Sequence, residues 1–382
     1  MQMKIIYCCP GIHWASGLER VILLKANYFA DEFGYDVSII TTEGKDQKSF
    51  YPVSSKVKLI DLEINFDELI GVSRFKKISG YLRKQKTYKK RLKNVLFELK
   101  PDIVISTLRR EINFISSIKD GSRKIGEIHF PKSFYRNPGE NASFFEKMFC
   151  LLWMRQLVNR LQKLDRFVAL TYRDMQKWTE LKQVEVIHNP IPFFPEQVSD
   201  GLSHQVIAVG RYTYQKGFDL LFEAWKIVSE KHPDWTLRIY GRGKITDYQP
   251  LVESLGITQS CILEPAVPNI DEKFNESSIF VLSSRYEGFG MVIAEAMACG
   301  LPAVSFDCDC GPSEIIKDGE DGFLVEVGNI SEFAEKIIYL IENESIRIKM
   351  GQQARKNIER FKIEKIAQQW KKLFESVVAR PN

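Results

Sequence analysis

From Ile5 to Cys9 the chain is apolar without interruption, and Pro10-Gly11 end the run. So short and apolar a stretch predicts a strand over 4–9 that is covered on both faces. The period then changes. Leu18, Val21, Ile22, Leu24, Tyr28 and Phe29 recur at helical spacing, which predicts a helix from Ser16 to about Ala30, closed by Gly34. Short apolar runs return at 37–41, 103–106, 125–128 and 167–170 and read as further strands.

The stretch Asn189-Pro190-Ile191-Pro192-Phe193-Phe194-Pro195 breaks this rhythm, because prolines fix the backbone and punctuate domains. Beyond it the alternation restarts. Strands are expected at 205–209, 236–240, 279–282 and 303–306, and helices at 218–231 and 291–298. Alternating βα units predict an α/β protein with parallel sheets covered by helices. Ligands of such sheets bind beyond the carboxyl ends of the strands. The expected organisation is two Rossmann-like βαβ domains, 1–193 and 194–360, facing across a central cleft. An amphipathic helix at 363–378, within the tail 361–382, is expected to pack back on the first domain.

Composition changes this picture little: 44% apolar and 27% charged over 382 residues are ordinary for a soluble two-domain chain. No stretch approaches the roughly 18 consecutive apolar residues of a membrane span. The N-terminal run ends too early, and lacks the small-residue cleavage site, for a signal peptide. Seven cysteines are an odd number, and Cys308 and Cys310 have no second Cys/His pair for zinc, so free thiols in a reducing cytoplasm are expected. The net charge of +5 is unevenly spread. Residues 74–93, RFKKISGYLRKQKTYKKRLK, hold no acid, which suits anionic lipid headgroups or nucleic acid and equally a solvated helical face. Residues 144–167 interleave Phe, Leu, Met and Trp with Lys and Arg. They read as a core helix with snorkelling basic side chains in preference to a helix lying in a membrane surface.

Candidate chemistry gathers where strands meet helices. Ser283-Ser284-Arg285-Tyr286-Glu287-Gly288-Phe289-Gly290-Met291-Val292-Ile293-Ala294-Glu295-Ala296 follows a strand and opens a helix. Gly288 and Gly290 let the backbone approach a ligand, and amides from Phe289 to Val292 at a helix N-terminus suit an anion or a hydroxyl. Glu287 and Glu295, one at each end of the turn, can accept from vicinal hydroxyls; either alone also reads as a capping or surface acid. Gly210-Arg211-Tyr212-Thr213-Tyr214-Gln215-Lys216-Gly217 joins another strand to a helix. Arg211 and Lys216 beside a helix dipole suit a diphosphate, or are a pair of solvated cations. In the first turn Ser16 and Glu19 fit a capping box, and Gly17 either offers its amide to a phosphate or simply starts a helix. His129 falls just after a predicted strand, where a cleft residue sits. Two patterns are set aside. Gly241-Arg242-Gly243 lacks the closing glycine of a dinucleotide fingerprint, and Asp307-Cys308-Asp309 reads as a turn in preference to a metal site.

With these residues in place, the chain resembles glycosyltransferase family 4, of the GT-B fold, over nearly its whole length. The mark is Glu287 and Glu295 with seven residues between, within EGFGMVIAEAMACGLPAVS and followed by GPSEII and DGEDGFLV. The resemblance implies an acceptor-binding first domain and a donor-binding second domain. It assigns Arg211 and Lys216 to the donor diphosphate and Glu295 to the ribose hydroxyls. Glu287 and the amides of Gly288, Phe289, Gly290, Met291 and Val292 would hold the donor sugar and β-phosphate. Gly17 would complete the phosphate site and His129 would contact the transferring sugar. The base would lie near Gly241 and the stretch from Glu264 to Val267. Where the family often has paired glycines in the first-domain loop, this chain has Ser16-Gly17.

The implied activity is a retaining hexosyl transfer from a nucleotide sugar, UDP by analogy, without metal or other cofactor. The implied acceptor is a lipid-linked saccharide in capsule, exopolysaccharide or lipopolysaccharide synthesis. The expected location is cytoplasmic, on the inner face of the membrane, with residues 74–93 meeting anionic lipid and with no nucleic-acid partner. A two-domain nucleotide-sugar epimerase, a non-catalytic nucleotide-sugar binder and a metal-dependent transferase using Asp307 and Asp309 are the rival readings.

Overall fold

The first apolar run forms β1 (Lys4–Cys8), buried from Ile5 onward, an interior strand of a seven-stranded sheet. The other members are β2 (Asp36–Thr41), β3 (Lys58–Asp61), β4 (Ile103–Ser106), β5 (Arg123–Glu127), β6 (Arg166–Ala169) and β7 (Val184–Val186), in the order β3-β2-β1-β4-β5-β6-β7. A second sheet holds β8 (Gln205–Val209), β9 (Thr236–Gly241), β10 (Cys261–Pro265), β11 (Ile279–Leu282), β12 (Ala303–Phe306) and β13 (Gly322–Val325), in the order β10-β9-β8-β11-β12-β13. Every strand pairing in both sheets is parallel. In each sheet the chain winds outward one way and then reverses, between β1 and β4 and between β8 and β11. Those reversals are the switch points at which α/β sheets hold ligands.

This computed structural model describes residues 2–44, 47–135, 139 and 142–379, without the side chain of Arg74. Residues 380–382 of the expected tail lie outside the described residues. The chain divides into two units, Met1–Pro190 together with Ile363–Asn382, and Ile191–Lys362.

Strands that the hydrophobic pattern predicted are largely buried, and β4, β11 and β12 are fully so. The pattern did not predict β3, β7, β10 and β13. Two of these, β3 and β7, have no buried residue at all, so their sequences carry no apolar run to read.

Helices cover the sheets. The basic run opens the Arg74–Leu99 helix, which turns Tyr88, Leu92 and Leu96 into the first core at four-residue intervals and leaves all its lysines but Lys84 exposed. The tail helix, Ile363–Val378, buries Ile366, Ala367, Trp370, Leu373, Phe374 and Val377 along one face. It packs on the first unit, where Phe374 meets Phe29 edge to face at 5.5 Å and the Lys25 ammonium lies 4.5 Å from the Trp370 ring. Lys25 also pairs with Glu127 at the end of β5, both 1% exposed. Burial works against the charge on Glu127, but Lys25 and His129 outweigh it and hold the carboxyl down at about 2.

The core reading of residues 144–167 needs correction. They form the Phe144–Leu161 helix, which buries only Leu157, Val158 and Leu161. Its first half is exposed, because no neighbouring element covers it among the described residues. Composition alone cannot reveal that.

Candidate functional site

Four of the predicted donor-site segments follow four neighbouring strands. Arg211 and Lys216 lie in the loop after β8, Gly241 ends β9, Glu264 and Val267 belong to β10 and the loop beyond it, and the 283–290 loop follows β11. In the sheet these strands stand side by side as β10-β9-β8-β11. Residues scattered over 85 positions of sequence, from Arg211 to Glu295, therefore share one carboxyl rim across the switch point.

The rim is closely built. A Cβ on Gly241 would overlap the carbonyl oxygen of Gly210, so the ends of β8 and β9 approach as only glycine allows. Gly217 has φ +61°, and a Cβ there would overlap the Ser283 carbonyl oxygen. The loops after β8 and β11 thus touch backbone to backbone. Polar contacts join them further. Ser283 Oγ donates to the Lys216 carbonyl at 2.9 Å, Gln215 Nε2 to the Tyr286 carbonyl at 3.0 Å, and the Arg285 amide to the Gln215 carbonyl at 2.8 Å. Arg285 forks onto both oxygens of Asp219 at 2.8 and 2.6 Å and lies 4.0 Å from the Tyr214 ring. This pairing holds the Asp219 carboxyl below its usual value.

Lys216 Nζ donates to Glu287 Oε1 at 2.6 Å, and Ser284 Oγ donates to the same oxygen at 2.7 Å. Glu287 and Glu295 are each only 7% exposed. Beneath this loop Tyr286 pairs with Asp309 through backbone, so the Asp307-Cys308-Asp309 turn supports the 286–289 loop. Phe289 is buried edge-on to Phe361 at 5.3 Å. Gly290 caps the Met291–Ala298 helix, which has no side-chain cap. Its first amides therefore meet no capping side chain at the positive helix end. Glu264 pairs its carboxylate with Arg238 at 2.7 Å, while its carbonyl accepts from Tyr212 Oη at 3.1 Å. Arg211 is exposed and contacts Gln215 at 3.3 Å.

In the first unit Gly17 begins the Gly17–Asp31 helix after β1, and His129 follows β5; β4 stands between these strands. The expected capping box at Ser16 does not form. Ser16 Oγ bonds the Glu19 carboxylate itself and caps no helix amide. A reciprocal capping box occurs instead between Ser143 and Glu146. His129 Nε2 stands 3.4 Å from Glu127 Oε1, so the buried Lys25–Glu127 pair backs the imidazole.

Sequence reasoning overlooked two features. One is the fork of Arg285 on Asp219, for which an acid in the first turn of the helix after β8 was the available signal. The other is a cavity of about 280 Å³ lined by His13, Glu43, Gln47, Asn65, Asp67 and Glu68. It lies where the chain leaves β1, β2 and β3. Arg110 pairs with Glu43 at 2.9 Å, and burial pushes the Glu43 carboxyl up.

Residues 192–357 match the family model described as "Glycosyl transferases group 1". An uncharacterized glycosyltransferase of Haemophilus influenzae is 30% identical over 383 residues, spanning 96% of this chain and 99% of that protein. The amylovoran biosynthesis glycosyltransferase AmsD of Erwinia amylovora is 34% identical over 217 residues, 54% of this chain and 61% of that protein. A solved structure of a Staphylococcus aureus TarM mutant, in complex with fondaparinux, α-GlcNAc-glycerol and UDP, superposes with a TM-score of 0.74 at 17% identity. That match covers 98% of this chain and 100% of TarM, so the two share the GT-B fold. Both sequence relatives are named as glycosyltransferases, which favours transfer over epimerisation or binding alone.

Proposed function

The chain belongs to the group 1 glycosyltransferases, and we propose that it is a retaining, family 4 member that moves a hexosyl group from a UDP-sugar to a lipid-linked saccharide in cell-surface polysaccharide synthesis. One observation carries this reading. The loops after β10, β9, β8 and β11 bring the glycines, cations and carboxylates of the candidate site onto one carboxyl rim of a parallel sheet. On this reading Gly241 and the Glu264–Val267 stretch meet the base, Arg211 and Lys216 the diphosphate, and Glu295 the ribose. Glu287 and the amides from Gly288 to Val292 meet the sugar. The UDP and saccharide in the TarM complex, and the polymer made with AmsD, are consistent with these substrate classes.

The chemistry follows from charge. The bond from the anomeric carbon to the β-phosphate oxygen breaks, and its electron pair stays on the diphosphate. The acceptor hydroxyl oxygen bonds the anomeric carbon from the same face, and its proton passes to the departing phosphate oxygen. The negative charge that grows on the diphosphate falls beside Arg211, Lys216 and the positive end of the Met291–Ala298 helix, where fixed donors need no reorganisation. With that charge met by side chains and amides, transfer is proposed to need no metal. In the first unit, His129 is proposed to contact the transferring sugar, Gly17 the phosphate, and the polar cavity the acceptor hydroxyls. The proposed location is the inner face of the cytoplasmic membrane; no described helix is long and apolar enough to cross a membrane.

A thermal-shift series with UDP, GDP, ADP and TDP in EDTA tests the donor assignment, since a ligand that binds only the folded state raises its melting temperature. The expected result is a shift with UDP that disappears in Arg211→Ala and in Glu295→Ala. No shift with any nucleotide, or a shift that both variants retain, would sink the assignment.

A further inference from the structure

The first half of the Phe144–Leu161 helix is apolar and exposed. Phe144 and Phe145 are 72% and 83% exposed, and Phe149, Leu151 and Leu152 all lie above half. The helix is well begun, with a reciprocal Ser143–Glu146 capping box, so these rings are presented on ordered backbone. Exposed apolar surface of this extent marks a contact site.

The Arg74–Leu99 helix supplies a second, matching stripe. Phe75, Ile78 and Leu82 are all exposed. Continuing at the same helical spacing come Lys86, Lys89 and Lys93, exposed as well. The outer face of this helix is therefore apolar at its start and basic farther along, while Tyr88 and Leu92 face the core. The two helices are tied through Asn113, whose Oδ1 accepts from Arg160 and whose Nδ2 donates to Tyr81 Oη at 3.2 Å.

Exposed apolar rings and an acid-free lysine stripe on two linked helices of the same unit fit one partner: the interface of an anionic bilayer. There the rings enter the acyl boundary and the lysines meet headgroups. A second copy of this chain would set each lysine stripe against another and is disfavoured by charge. We propose that residues 144–152 and the apolar start of the Arg74–Leu99 helix are the membrane-inserting elements of this protein, with Lys86, Lys89 and Lys93 as its headgroup contacts. This rests on the membrane part of the proposed function and is independent of the donor.

The test is sedimentation of the full chain with vesicles of phosphatidylcholine alone and with phosphatidylglycerol added. The wild type is expected to bind the anionic vesicles and to release as salt rises. Phe144→Ser/Phe145→Ser/Phe149→Ser should bind at least about tenfold more weakly, the loss expected from removing even one buried ring. Lys86→Glu/Lys89→Glu/Lys93→Glu should also lose binding. Unchanged circular dichroism and an unchanged UDP shift would show that both variants are folded. Wild-type binding by the serine variant would overturn the proposal. So would failure of the wild type to bind anionic vesicles, or a dimer in solution that the serine variant converts to monomer. Vesicle binding without any UDP shift would leave it standing and remove the donor assignment instead.

Discussion

Lys216 and Glu287 stand 71 residues apart in sequence and 2.6 Å apart in space, Nζ to Oε1. Their side chains are 12% and 9% exposed, so each removes most of the other's desolvation cost. The lysine is thereby fixed, and one carboxylate oxygen is committed to it and to Ser284. Under the proposed function, a cation held in this way would meet the charge of the leaving diphosphate.

Lys216→Met keeps the stem of the side chain and removes its charge. Transfer is expected to fall about 10²–10³-fold in kcat, the scale for loss of one preorganised stabiliser of developing charge. A progress assay of UDP release in the presence of acceptor measures it; a rise in KM with kcat unchanged would place Lys216 outside the transition state.

Glu295→Ala is expected to act differently. A contact to ribose hydroxyls is made equally in ground and transition states, so KM for the donor should rise while kcat changes little. Initial rates over a donor series separate the two.

Gly241→Ala adds a Cβ where the Gly210 carbonyl already lies. The ends of β8 and β9 must part, at a cost of about 1–3 kcal/mol. Urea unfolding should show that loss, and donor binding should weaken with it. An alanine variant as stable as the wild type would contradict the close approach of the two strands.

The carboxyl of Glu127 is held at about 2 by Lys25 and His129, against its burial. An unfolded Glu titrates near ~4.3. The depressed carboxyl therefore adds stability that is complete above pH ~4.3 and is lost as pH falls through about 2. Glu127→Gln is expected to lose about 3–5 kcal/mol at neutral pH, because Lys25 stays buried without its partner. Its stability should then fall less steeply between pH ~4 and ~2, as read by acid titration of tryptophan emission.

Much of this fold was legible because parallel sheets bury both strand faces, so β1, β4, β11 and β12 appear as plain apolar runs. Edge strands such as β3 do not, since their side chains face solvent and neighbouring loops. The rim was legible for a related reason: glycines and charges cluster where strands end. Arg285 stood in that motif, yet its fork onto Asp219 spans 66 residues and has no local signature. The cavity near His13 gathers single polar residues from three loops, each unremarkable alone. The Phe144–Leu161 helix marks the limit from the other side. Its composition looks like core, and only the missing neighbours distinguish it from one.

The helix Ile363–Val378 belongs to the first unit, yet the ribosome makes it after all of Ile191–Lys362. The second unit is a continuous stretch and can complete its sheet while synthesis is still under way. Until the tail helix emerges, Lys25 lacks its Trp370 cover and Phe29 its Phe374 neighbour. The first half to be synthesised is thus the last to finish folding, and its unfinished apolar face is what a chaperone would meet on the nascent chain.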